Sequence, residues 1–324
     1  MYAVKIYSVP SDIEKTVQMW TELGFDTIMT GRECLSDSVF LNKIHENGMK
    51  LSVVEPVFLA PSEAEISHGA TYDKALFRDG TAAVDDWVRF VCPTDEEWLS
   101  SVYERIKNDA KLGADILTFD FARFFLFWEM VLPETPVSAL KKTCYCLRCK
   151  KAMEANVSET EWRKKVVTQA VRNCVAAAKS VNASVKTGVH IVPWKTDMFP
   201  VDCGDGSEGA LESVLGQDLC ALSESVDFLA PMTYHHMIHQ STAYIGEVIQ
   251  NHREFIKDRI PVVPSVQVKE LYRKDVLLRE EFAEALRTAL KFSTGGVSFY
   301  QWSDIEESPE SFRIIKEELE KYGR

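Results

Sequence analysis

Short apolar runs alternate with segments of helical spacing from one end of the chain to the other. AVKIY (Ala3–Tyr7), DTIMT (Asp26–Thr30) and KLSVVEPVF (Lys50–Phe58) read as the first three strands. Between them, one helix starts near Ser11 or Asp12 and a second, SDSVFLNKIHENG, closes at Gly48. The stretch from Pro61 to Pro93 breaks this rhythm. It is too long and irregular for an ordinary connection and reads as an insertion between a strand and its helix. The helix DEEWLSSVYERIKNDAKLG then leads into Ala114–Phe124. After a second long segment, the helix Glu159–Ser180 leads into Ser184–Pro193, and Ser225–His235, Ile260–Val268 and Gly295–Trp302 complete eight strands.

Eight βα units in 324 residues predict an α/β protein, a single (β/α)8 TIM barrel over residues 1–324 with extended loops after strands three and four. A doubly wound sheet would have fewer strands and a Gly-rich first turn, and no GxGxxG follows strand one. No linker or composition shift marks a second domain.

The barrel gives meaning to LTFDFARFF (Leu117–Phe125), where a carboxylate and a guanidinium close an apolar run. Side chains at the C-terminal strand ends of this fold face the active site, so Asp120 and Arg123 are expected there. The same reasoning brings in Glu55 from strand three, His190 and Trp194 from five, Tyr234 and His235 from six, and Gln267 from seven. Strand eight adds Gln301, Trp302 and Asp304. This inventory suits a carbohydrate, whose C–H faces stack on aromatic rings while its hydroxyls exchange hydrogen bonds with polar groups. It suits phosphate poorly, because no Gly-rich loop follows strands seven or eight.

LTFDFARF, the CYCLRC cluster (Cys144–Cys149), DFLAPMTYHHM and GGVSFYQWSDIEE resemble, in order and spacing, the glycoside hydrolase-like (β/α)8 barrels grouped as hypothetical or family-10-like glycosyl hydrolases. The resemblance runs from Ala114 to Glu307. It implies a fourth strand ending in Asp followed by an Arg-aromatic pair, matched by Asp120, Arg123 and Phe124. It also implies a sixth strand ending in Pro-Met-x-Tyr-His, matched by Pro231, Met232, Tyr234 and His235. Strands six and eight are similar to family 18 chitinases as well. That family's signature sets a general-acid Glu two residues after the last Asp of strand four, where this chain has Ala122, which speaks against substrate-assisted chemistry by that route.

The chemistry expected is two-carboxylate glycoside hydrolysis of an oligo- or polysaccharide, one group protonating the leaving oxygen while the other attacks or activates water. Asp120 is the first choice for nucleophile or base, with Arg123 depressing its pKa. Glu55 is placed ahead of Asp304 as the acid, since burial would raise its pKa. Arg123, His190, Trp194, Tyr234, His235, Gln267, Gln301 and Trp302 are expected to bind substrate, and no cofactor is required for catalysis.

Three other readings compete. Asp120 and Arg123 could be a buried ion pair closing the barrel top, with the aromatics as packing. The barrel could bind sugar without catalysis, as a degenerate relative. A metal-dependent hydrolase is a third reading, since His235, His236 and His239 have the right chemistry. Adjacent residues on a strand point to opposite faces, however, and strand one carries IYS where HxH would be expected.

Cys144, Cys146 and Cys149 place three thiols within one short stretch, which suits a structural Zn site lacking a fourth ligand; buried thiols or a local disulfide are the alternatives. The other cysteines (Cys34, Cys92, Cys174, Cys203, Cys220) show no small-domain disulfide spacing, which suits a reducing compartment. The N-terminus lacks a secretory leader pattern and no run is long enough to span a membrane, so a cytoplasmic protein is expected. A formal net charge of -12 without a long basic patch argues against nucleic acid and anionic lipid as partners.

Overall fold

The structure is a computed structural model that describes residues 1–324 apart from 61–71, 86, 154–155, 203–206 and 323–324. Eight parallel strands form the central sheet: β1 (Tyr2–Lys5), β2 (Thr27–Thr30), β3 (Lys50–Pro56), β4 (Ile116–Asp120), β5 (Lys186–Ile191), β6 (Phe228–Pro231), β7 (Ser265–Gln267) and β8 (Val297–Tyr300). Each strand pairs with its sequence neighbours except β6 with β7, and β8 pairs with β1. Parallel bridges Leu229↔Val262 and Met232↔Ser265 close the gap between β6 and β7, so the sheet is a barrel.

The helices form as the chain chemistry dictates. Helix α1 (Ile13–Leu23) starts where Asp12 accepts the Lys15 amide at 3.0 Å and stops at Gly24 with φ +78, a left-handed cap that glycine takes without strain. Helix α2 (Ser38–Glu46) is capped by Asp37, α3 (Glu96–Leu112) by Asp95 and α4 (Glu159–Val181) by Ser158. A short α5 (Leu219–Ser223), then α6 (Thr242–Phe255), α7 (Arg279–Phe292) and α8 (Pro309–Tyr322) complete the outer ring.

The main core lies between strands and helices, and a small inner cluster of Ile116, Phe228, Ala230 and Val263 fills the barrel floor. Gly188 on β5 is required there, because a Cβ would stand 2.2 Å from the Phe228 ring. The insertions after β3 and β4 are as long as expected. The first contains a hairpin, Val84–Asp85 against Val88–Arg89, and its residues 61–71 and 86 lie outside the described residues. Several strands are shorter than the apolar runs suggest. β6 stops at Pro231, so Tyr234, His235 and His236 sit in a turn-rich loop and the alternation rule for strands does not govern them.

Candidate active site

Strand parity decides which side chains meet at the mouth. On β3, Ser52 faces inward, bonded to Thr118 of β4 at 3.1 Å; Val54 and Pro56 follow on the same face and line a cleft of about 250 Å³. Asp120 has the parity of Thr118 and joins the same cleft, with His190 from β5, Met232 and Tyr234 from beyond β6, Ser265 from β7 and Tyr300 from β8. Phe121 turns the chain at φ +50, a conformation rare for an aromatic residue, and its amide donates to Asp120 Oδ1 at 2.7 Å.

A second lobe of about 150 Å³ shares Asp120, Tyr7, Trp87, Tyr234 and Tyr300 and adds Glu129. Glu129 lies in the 3₁₀ turn Trp128–Met130 and was not among the sequence candidates. Burial raises its carboxyl to about 7, with nearby Asp120 adding to the rise and Arg123 opposing it. Its Oε2 is buried without a hydrogen-bond partner. The one sequence signal was a Glu embedded in the aromatic run FFLFWEM, close behind the strand-four carboxylate.

Aromatic rings wall both lobes. Tyr234 stacks near Trp128 with ring centres 6.2 Å apart, and its hydroxyl lies 3.2 Å from Ser265 Oγ. The Tyr7 and Tyr300 hydroxyls share a 2.6 Å hydrogen bond. At the rim, Trp87 donates from Nε1 to the Tyr272 hydroxyl at 2.6 Å. His190 is buried and its Nδ1 has no partner; burial lowers its pKa against the pull of Asp120.

Other expected site residues lie elsewhere. Glu55 is on the outward face of β3, 1% exposed, and Arg105 of α3 binds it through Nε at 2.7 Å and Nη2 at 2.6 Å. It does not reach the mouth, because its parity is opposite to that of Val54 and Pro56. Asp304 sits in the short helix Trp302–Glu306 beyond β8 and lines neither lobe. Arg123 lines the second lobe but forms no ion pair with Asp120. It is buried against the Phe90 and Phe121 rings, donates to Leu126 O at 2.7 Å and has Glu129 as its strongest charged neighbour.

Trp194 is a core residue against Phe199, its carbonyl accepting from His252 at 2.8 Å. His235 and His236 both turn to Glu281, at 3.0 and 3.3 Å, away from the cleft. Gln267 accepts the Met237 amide and donates to Lys269 O, tying the loop after β6 to β7. Gln301 and Trp302 line an adjoining groove between β8 and α1. Of the expected set, Asp120, Arg123, His190 and Tyr234 come together.

The cysteine cluster gains the fourth member that the sequence reading lacked. Cys92, from the insertion after β3, joins Cys144, Cys146 and Cys149, with all four sulfurs within 4.8 Å of one another. Hydrogen bonds from Cys149, Cys92 and the Leu76 and Cys146 amides hold the Cys144 thiol well below its ordinary pKa. Four convergent thiols with amide N–H groups aimed at sulfur fit a tetrahedral Zn²⁺. No disulfide is formed among the described residues, and Cys203 lies outside them.

No protein-family model and no curated protein sequence matches the chain. Solved structures do. The β-galactosidase of the Antarctic haloarchaeon Halorubrum lacusprofundi superposes with a TM-score of 0.70 at 10% identity, over 99% of this chain and 58% of that one. The β-galactosidase of Rahnella sp. R3 gives 0.69 at 13% identity, over 100% of this chain and 56% of that one. The PgaB (BpsB) glycoside hydrolase domain of Bordetella bronchiseptica gives 0.66 at 11% identity, covering 97% of each chain. The fold is the (β/α)8 barrel of these glycoside hydrolases. The chain spans a little over half the length of the β-galactosidases it matches. Among the described residues no helix is long and apolar enough to cross a membrane.

Proposed function

We propose that this chain is a glycoside hydrolase acting on an oligo- or polysaccharide, its chemistry carried by one barrel domain over 1–324. The observation that carries the reading is the pair of carboxylates, Asp120 and Glu129, in one aromatic-walled cleft at the C-terminal strand ends. Their environments differ. Glu129, at about 7, holds its proton near neutrality and suits the general acid. Asp120, bonded to the Phe121 amide and open to the main lobe, takes the part of nucleophile or base. Tyr234, Tyr300 and Trp128 offer ring faces and hydroxyls to the sugar, and His190 Nδ1 a free polar atom. Glycoside hydrolase neighbours of the same fold support the substrate class.

The test is a panel of aryl glycosides and oligosaccharides with Asp120→Asn and Glu129→Gln. Loss of the acid should hit substrates with poor leaving groups hardest and spare those with activated aryl leaving groups, which need little protonation. Sugar binding without any turnover by wild type would instead favour the non-catalytic barrel.

We further propose that Cys92, Cys144, Cys146 and Cys149 hold a structural Zn²⁺. The metal would clamp the insertion carrying Trp87 to the insertion that follows Glu129, fixing two walls of the cleft. A Zn²⁺ held by four thiolates suits the reducing, cytoplasmic setting we propose for this chain.

A further inference from the structure

Lys5 is a charged residue of the main lobe that hydrolysis does not use. It ends β1, is half-buried and lines both the main lobe and the groove beside it. Among the described residues it makes no hydrogen bond or ion pair, and its Nζ lies 5.3 Å from the centre of the Tyr7 ring. Its charged and titratable neighbours are Asp120 on β4, Glu33 and Cys34 beyond β2, His190 on β5 and Tyr7. Burial brings its pKa down to about 8 even though Asp120 works the other way. Asp120 attracts the ammonium without pairing with it, so the N–H donors of a half-buried charge stay open to a ligand, and leaving them unused is costly.

A second polar group lies in the same lobe: His190, 6% exposed, has an Nδ1 without a hydrogen-bond partner. The two lobes therefore differ: Glu129 and Arg123 line one, Lys5 and His190 the other, and Asp120 lines both.

We propose that the Lys5 lobe takes a sugar residue bearing a carboxylate, a uronic acid, with the Lys5 ammonium on its carboxylate and His190 on a ring hydroxyl. The sugar class rests on the glycosidase reading, but binding is independent of turnover. A sulfate ester would present the same negative charge with a different shape, and the experiment separates the two.

The experiment is calorimetric titration of the full chain with methyl glucuronide, methyl galacturonide, the neutral methyl glucoside and galactoside, and a sulfated methyl galactoside. Near pH 6, one of the uronides should bind about ten-fold or more tightly than its neutral counterpart, the worth of a charge-assisted hydrogen bond. Lys5→Gln should abolish that preference and Lys5→Arg should keep it. In wild type the preference should fade between about pH 6 and about pH 10 as Lys5 discharges. Equal binding of neutral and uronic sugars, an unchanged preference in Lys5→Gln, or a preference for the sulfated sugar alone would overturn the assignment. If Lys5→Gln does not fold, the wild-type pH series and Lys5→Arg decide. A uronide held through Lys5 by a protein that cleaves no glycoside sinks the glycosidase reading and leaves this one; cleavage of neutral oligosaccharides with no uronide preference does the reverse.

Discussion

Glu55 and Glu129 are both glutamates whose pKa burial raises to about 7, yet they sit in opposite kinds of place. Glu55 lies between barrel and helix, its Oε1 held by two Arg105 nitrogens, with Asp109 and Arg32 extending the network. Glu129 faces a cavity, has an oxygen with no partner and shares its lobe with a second carboxylate. The same shift thus marks a structural group in one case and a candidate acid in the other. What separates them is whether hydrogen-bonding capacity is already used and whether there is room for a substrate.

Replacing the cleft carboxylates should give the largest effects. Asp120→Asn should lower kcat/KM by roughly three orders of magnitude or more with the thermal midpoint nearly unchanged, and Glu129→Gln by about two to four orders on substrates with poor leaving groups. Glu129→Gln should also remove the alkaline limb near pH 7 from the pH–rate profile, as loss of a protonated acid requires. An unchanged profile would return Glu129 to the same class as Glu55.

The ion pair should behave in the opposite way. At a pH above about 7, where Glu55 is ionised, Arg105→Met leaves it buried without its partner and should cost about 3–5 kcal/mol in denaturant unfolding, while turnover of the folded fraction stays near wild type. Activity lost at full stability would contradict the structural role.

A third effect separates stability from activity along pH. The folded pKa of Glu55, about 7, exceeds its unfolded value, so the native state holds this proton more tightly. Its contribution is fully present below the unfolded pKa and is lost as pH rises through about 7. Glu55→Gln should therefore gain on wild type, in urea midpoints, across that window; a pH-independent difference would show that Arg105 keeps Glu55 ionised throughout. The smallest change is expected from metal: elemental analysis should find about one Zn per chain, and chelation should loosen the two insertions before it unfolds the barrel. Metal-free protein with four titratable thiols and unaltered proteolysis of those insertions would end the zinc proposal.

The order of eight βα units was legible in the sequence because hydrophobic periodicity and caps such as Asp12, Asp95 and Ser158 act over a few residues. The placing of Asp120 at a strand end followed from the same local signal. Partnership was not legible. Glu55 and Asp120 both close apolar runs, and only strand register shows that one points to the helices and the other to the mouth. Arg105, 50 positions from Glu55 in sequence, claims that carboxylate through a helix packed on the strand. Cys92 joins a cluster whose other members begin 52 positions later, across two insertions that carry no periodic pattern. Glu129 was hidden for a related reason, since it lies in a 3₁₀ turn after the strand, where neither period two nor 3.6 applies. Local chemistry determined the elements and their order. Which buried charge has a partner, and which faces open space, was decided by contacts between distant segments, because burial and pairing are properties of the assembled neighbourhood and not of the residue.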